Sequence, residues 1–124
     1  MTTNSLSRLA PCPRTPNCVS TLAPPGPQHM DPIPYKGLRE TARQRLLGVL
    51  RRMERTTIVE ETEDYLHAEC RSRLFHFVDD VELAFDDKAK LIHFRSASRL
   101  GRSDFGVNRK RMQQIRRDFR ALST

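Results

Sequence analysis

The sequence predicts an α+β fold: an antiparallel four-stranded meander with an N-terminal and a C-terminal helix packed on one face, preceded by a Pro-rich arm. Three observations predict it. All eight prolines stand at or before position 34. Two later stretches carry apolar residues at spacings of three and four. Between those stretches the apolar period falls to two.

The arm covers residues 1–34. Proline lacks a backbone N–H and fixes φ, so this segment is neither a helix nor a central strand. It is either a disordered tail or an extended arm laid over the remainder. Residues 35–124 are expected to form one domain, because 124 residues with 37% hydrophobic content support one modest core.

Residues 35–55 read as an amphipathic helix. Leu38, Ala42, Leu46, Val49, Leu50 and Met53 form its apolar stripe, and Arg39, Glu40, Arg43 and Arg51 the opposite face. A strand is expected over residues 57–61, joined to the next by the acidic turn Thr62-Glu63-Asp64. A turn near Ser72-Arg73 sets Cys70 opposite Phe75 and Ala68 opposite Phe77 on the core face, with Glu69 opposite His76 outside. The turn Asp86-Asp87-Lys88-Ala89 sets Leu83 opposite Ile92 and Val81 opposite Phe94. On its outer face Glu82 meets His93 and Asp80 meets Arg95. A last helix is expected over residues 107–122, with Met112, Ile115, Phe119 and Leu122 as its stripe and Ser103, Asp104 or Asn108 as N-cap.

Net charge is +7, distributed as +1 over residues 1–34, +5 over 35–57, −6 over 58–90 and +7 over 91–124. That order fits two basic helices flanking an acidic sheet, or a surface for nucleic acid or anionic lipid. Eighteen of the 22 basic residues are Arg. No apolar run reaches the ~20 residues that cross a bilayer, and none precedes Leu9-Ala10-Pro11-Cys12 to make it a signal or lipoprotein site. The expectation is therefore a cytoplasmic protein with free thiols at Cys12, Cys18 and Cys70, although the spacing of the first two permits a disulfide. A lone C-x5-C does not supply the ligands of a structural zinc site, and no metal or cofactor is expected.

Three motifs occur in order: Cys12-Pro13-x-x-Pro16-Asn17-Cys18-Val19-Ser20-Thr21, Phe77-Val78-Asp79-Asp80-Val81-Glu82, and Arg95-Ser96-Ala97-Ser98-Arg99-x-Gly101-x-Ser103-Asp104-Phe105-Gly106-x-Asn108-Arg109. Together they resemble the family catalogued as domain of unknown function 1499, over nearly the whole chain. The resemblance implies a bacterial or plastid-type domain of this size, with members often behind a leader or membrane segment, and it carries no activity, cofactor or catalytic residue.

The third motif is the first candidate site. Arg95, Ser96, Ser98, Arg99, Ser103, Asp104, Asn108 and Arg109 open a helix and could cradle an anion, with Asn17 and Ser20 closing over them. The plainer reading is a rigid cap for the helix. There is no Walker motif. Cys18 could be a nucleophile, but none of His29, His67, His76 and His93 is placed beside it by the sequence. The plainer reading is an arm packed through Val19 and Pro16. The outer sheet face gathers His67, Glu69, His76, Asp80, Glu82, His93 and Arg95, a set that could hold a metal or an acid–base pair, or simply form a solvated face of paired charges. Arg109, Lys110, Arg111, Arg116, Arg117 and Arg120 could contact phosphates, yet no nucleic-acid-binding motif accompanies them. The function read from these features is a small non-enzymatic module that binds a protein partner or a small anion. The alternatives are an enzyme using Cys18 or the sheet histidines, and nucleic-acid or anionic-membrane binding through the basic helices.

Overall fold

A computed structural model describes residues 5–74, 77–100 and 106–122. It is an α+β structure with two helices and a six-stranded antiparallel sheet. After a 3-10 turn at Ser5–Arg8 come β1 (Cys18–Ser20), β2 (Ile33–Pro34), α1 (Arg39–Arg52), β3 (Thr56–Glu61), β4 (Tyr65–Arg71), β5 (Val78–Asp86), β6 (Leu91–Ser98) and α2 (Val107–Ala121). The spatial order is β1-β6-β5-β4-β3, and β2 also pairs with β6.

The sheet therefore has six strands rather than four, and the arm supplies the two extra ones. β1 pairs with one end of β6 through Val19 opposite Ser96 and Ser20 opposite Arg95, and β2 with the other end through Ile33 opposite Ile92. A proline-containing strand is tolerated there because an edge position does not need every N–H. Pro34 is that residue, opposite Leu91. The arm also reaches the interior: Val19, Met30 and Ile33 are buried in the same cluster as Leu46, Leu50, Leu66, Leu83, Phe94, Met112, Ile115 and Phe119.

Both expected hairpin registers are corrected. Leu83 lies opposite Phe94, Phe85 opposite Ile92, and Glu82 opposite Arg95. The turn occupies residues 87–90, with Asp86 kept in the strand and Lys90 at φ +58 closing the loop. The pairing is thus two residues from the expected one. In the preceding hairpin Ala68 lies opposite Val81 and Cys70 opposite Asp79, four residues from expectation. The connection there is longer than a tight turn: Ser72 N–H donates to the Phe77 carbonyl at 2.8 Å, and Ser72 Oγ accepts the Phe77 N–H at 2.9 Å. Phe77, assigned to the core from the sequence, is 42% exposed, and Phe75 and His76 lie outside the described residues. Side chains alternate with a period of two, so even-numbered shifts leave Ala68, Cys70, Val81, Leu83, Ile92 and Phe94 on the core face.

The helical stripes hold in their middles and fail at their ends. Ala42, Leu46, Val49 and Leu50 are buried, as is Leu47, but Leu38 at the N-cap of α1 is 73% exposed. In α2, Met112, Ile115 and Phe119 are buried while Leu122 is exposed. The N-cap of α2 is Gly106 at φ +79, a left-handed conformation that glycine adopts without a Cβ clash. Asn108 is inside the helix and is not the cap.

Candidate functional site

The motif of residues 95–109 begins on β6, and strand alternation divides it at once. Ser96 and Ser98 point to the helix-covered face, and Arg95 and Arg99 to the opposite one, with Ala97 between them. On the inner face the core changes from apolar to polar where α2 begins. Asn108 follows the spacing of the apolar stripe, four residues before Met112, and is fully buried. Its amide is saturated. Oδ1 accepts the Ser96 hydroxyl at 2.6 Å and Arg111 Nη1 at 2.9 Å, while Nδ2 donates to the Asn17 carbonyl at 3.1 Å and to Ser98 Oγ at 3.0 Å. Those four bonds use both donors and both acceptor positions of the side chain.

Arg111 extends this knot by donating Nη2 to Asp79 Oδ2 at 2.8 Å, an ion pair with both side chains mostly buried. Asn17 ties in the arm. Its carbonyl accepts the Ser98 N–H at 3.0 Å, its side-chain amide donates to the Leu100 carbonyl, and its Oδ1 accepts the Thr15 hydroxyl. Arg109 clamps a further part of the arm by donating to the carbonyls of Pro27 and His29. Ser20 is buried in β1 and its hydroxyl accepts the Leu22 N–H at 3.1 Å. The structure thus brings together Asn17, Ser96, Ser98 and Asn108, places Arg95 and Arg99 across the sheet from them, and leaves Arg109 on α2 holding the arm and Ser20 within the arm's strand β1. Ser103 and Asp104 lie outside the described residues. Sequence reasoning named Arg111 only as a phosphate contact and Asp79 only within a motif, and did not place either in this cluster. Their signal was positional: Arg111 follows Asn108 by three residues, one helical turn along the same face.

The outer face is a charge network, partly covered rather than solvated. Arg99 forks onto Asp80, Nε to Oδ2 at 2.8 Å and Nη2 to Oδ1 at 3.0 Å, and Nη2 also reaches Glu69 at 2.7 Å. His67 Nε2 lies 2.8 Å from Asp80 Oδ1. Arg99, with smaller help from His67, holds the Asp80 carboxyl below the usual aspartate range. The Arg95 partner is Glu82, at 3.8 Å, and not Asp80 as the shorter register implied. Glu82 also accepts the Tyr65 hydroxyl, and burial together with that bond raises the phenol's pKa well above its ordinary value. Residues of the arm lie across this network: Arg8 sits 3.7 Å above the Tyr65 ring and pairs with Glu60, and Leu6 and Leu9 pack against Tyr65 and Ala84. His93 is hydrogen-bonded to Thr21 of the arm at 2.8 Å, and burial lowers its pKa.

Cys18 is bonded to Cys12, with a Cα–Cα distance of 5.7 Å, and is buried; Cys70 is a buried free thiol. The expectation of free thiols at Cys12 and Cys18 is therefore corrected, and a bonded sulfur offers no thiolate for catalysis. Among the described residues no group of three or more His, Cys, Asp or Glu is arranged to hold a metal ion. Nor is any described helix long and apolar enough to cross a membrane. The basic stripe of α2 is largely engaged with the protein itself: besides Arg109 and Arg111, Arg116 donates to the Asp31 carbonyl and Arg117 to Gln114 at 2.8 Å.

Comparison with curated proteins and with solved structures gives no match. A family model described as "Protein of unknown function (DUF1499)" matches residues 8–119, from the arm through both helices. The chain belongs to that family.

Proposed function

We propose that this protein is a non-enzymatic module that binds a small anionic ligand. The observation that carries the reading is the way internal pairing divides the charge. The strand carboxylates are met by arginines: Glu60 by Arg8, Glu82 by Arg95, Asp80 and Glu69 by Arg99, and Asp79 by Arg111. Much of the acidic middle of the chain is engaged in this way. The basic excess behind the net charge of +7 lies in residues 35–57 and 91–124. There Lys36 and Arg45 have no carboxylate within 4.0 Å among the described residues. In this reading strands β3 to β6 are the working meander and the arm is its clasp. Ser96, Ser98, Asn108 and Asn17 hold that clasp shut, which is the helix-cap reading of the motif in an enlarged form.

The disulfide also bears on where the protein works. Bonds of this kind persist in oxidising compartments and are rare in reducing cytosol, which supports an exported protein over a cytoplasmic one. Saturable anion binding tests the functional reading. Thermal melts of the full chain are recorded in phosphate and in chloride at fixed ionic strength. A specific site raises Tm with phosphate as mass action on the folded state, by about 1.4 kcal/mol of stability at ten times the dissociation constant. Equal melts in both salts overturn the reading.

A further inference from the structure

Four exposed apolar side chains, Leu74, Phe77, Leu100 and Val107, gather at one end of the sheet. β4 ends, β5 begins and β6 ends there, because the three are antiparallel neighbours. α2 begins there too: Asn108, in its first turn, bonds to Ser98 Oγ and to the Asn17 carbonyl. The Arg99 N–H donates to the Val78 carbonyl at 3.1 Å, so Phe77 and Leu100 come one step further out on adjacent chains. Leu74, 79% exposed, stands in the loop that Ser72 and Phe77 close, and Val107 opens α2. An exposed apolar cluster of this kind marks a contact surface. The charge around it is positive. Residues 71–78 hold two basic residues and no acidic one, and residues 98–111 hold five basic and one acidic. The strand carboxylates next to the cluster are already held, Glu69 and Asp80 by Arg99 and Asp79 by Arg111. Arg73, beside Leu74, and Lys110, one helical turn after Val107, are exposed and form no ion pair among the described residues. The same holds for Arg14, three residues before the Asn17 that bonds the Leu100 carbonyl.

We propose that this end of the sheet docks on the surface of an anionic lipid bilayer. Leu74, Phe77, Leu100 and Val107 enter the headgroup boundary, and Arg14, Arg73 and Lys110 meet lipid phosphates around them. A bilayer is favoured over a protein partner on two grounds. The apolar side chains come singly from a loop, two strand ends and a helix start, not as the continuous stripe that a partner helix or strand would match. The surrounding charge is of the sign that an anionic leaflet attracts, and apolar burial and that attraction add in membrane binding. The contact is attachment and not insertion, since no described helix is long and apolar enough to cross a membrane. It is independent of the small-anion reading above and holds or fails without it.

The experiment is co-sedimentation of the full chain with vesicles of phosphatidylcholine alone and of phosphatidylcholine with roughly one-third phosphatidylglycerol, at low and high salt. The parent is expected to sediment with the anionic vesicles, and less so as salt screens the charges. Leu74→Ser removes one apolar anchor and is expected to weaken binding about tenfold or more. Arg73→Gln removes one cation and is expected to weaken it about fivefold. Leu38→Ser and Lys88→Gln make the same changes at the opposite end of the sheet, by the turn between β5 and β6, and are expected to leave binding unchanged. Melts confirm that each variant folds, and Leu100→Ser repeats the test if Leu74→Ser does not. No binding to anionic vesicles, equal binding to both kinds, undiminished binding in a folded Leu74→Ser, or equal weakening by the changes at Leu38 and Lys88 overturns the assignment. So does a parent dimer in sedimentation velocity that Leu74→Ser dissociates, because the surface would then meet a second copy of the chain.

Discussion

Asn108→Ala is the most informative single change to the fold. The side chain is fully buried and makes four hydrogen bonds, so truncation strands several partners at once. The Asn17 carbonyl keeps the Ser98 N–H, and the Ser96 hydroxyl keeps a long contact to Arg111 at 3.5 Å. Ser98 Oγ and one Arg111 nitrogen lose their closest partner. A buried polar group left unsatisfied costs about 1–3 kcal/mol, and a charged one more. Alanine is the better helix former by a few tenths of a kcal/mol, which offsets a little. The expected net loss is about 3 kcal/mol, a fall of roughly 10 °C in Tm for a chain of this size. Urea unfolding followed by circular dichroism measures it, with Arg99→Ala as comparison. Arg99 pairs on the outer face with its side chain 49% exposed, so its removal is expected to cost only ~1 kcal/mol. If Asn108→Ala costs no more than Arg99→Ala, the knot does not hold the arm and the account of the motif fails.

Two further outcomes follow from the same contacts. Cys12→Ser removes a cross-link of sequence separation 6, whose loop-closure entropy amounts to about 2 kcal/mol, so the variant is expected to melt several degrees lower. A reductant should lower the parent's Tm likewise and leave the variant's unchanged; equal melts of parent and variant would refute the contribution. The Asp80 carboxyl titrates below the ordinary aspartate value of 3.8 in the folded state, so the unfolded chain takes up its proton first as pH falls. Its contribution is complete above that ordinary value and is lost as pH falls through the lower folded one. Arg99→Ala is expected to flatten the dependence of Tm on pH in that acid window, and an unchanged slope would sink the assignment.

How much of this was legible in the sequence depends on what each feature needs. Face assignments needed only the period of two, which is why Val81, Leu83, Ile92 and Phe94 are interior despite misplaced turns. Registers needed the turn itself. The left-handed Lys90 and the long loop after Arg71 are not encoded by a glycine or another plain turn signal. β1 and β2 were invisible because three and two residues are too short to show alternation; they exist through pairing with the free edge of β6. Leu38 and Leu122 show that a helical stripe can outrun the core it faces. For the site, the separation of Ser96 and Ser98 from Arg95 and Arg99 was readable from alternation alone. The ion pair of Asp79 and Arg111 was not, because the two are distant in sequence and meet only where α2 packs on the sheet.

The central claim is a saturable anion site on a protein whose acidic sheet residues Glu60, Glu69, Asp79, Asp80 and Glu82 are already met by arginines. Backbone-amide NMR of the isotopically labelled full chain, titrated with phenyl phosphate at fixed ionic strength, tests it most directly. The account predicts saturable shifts confined to one cluster of amides, with the amides of His67, Asp80 and Arg99 unmoved. Shifts that never saturate, or that centre on the outer sheet face, would contradict it.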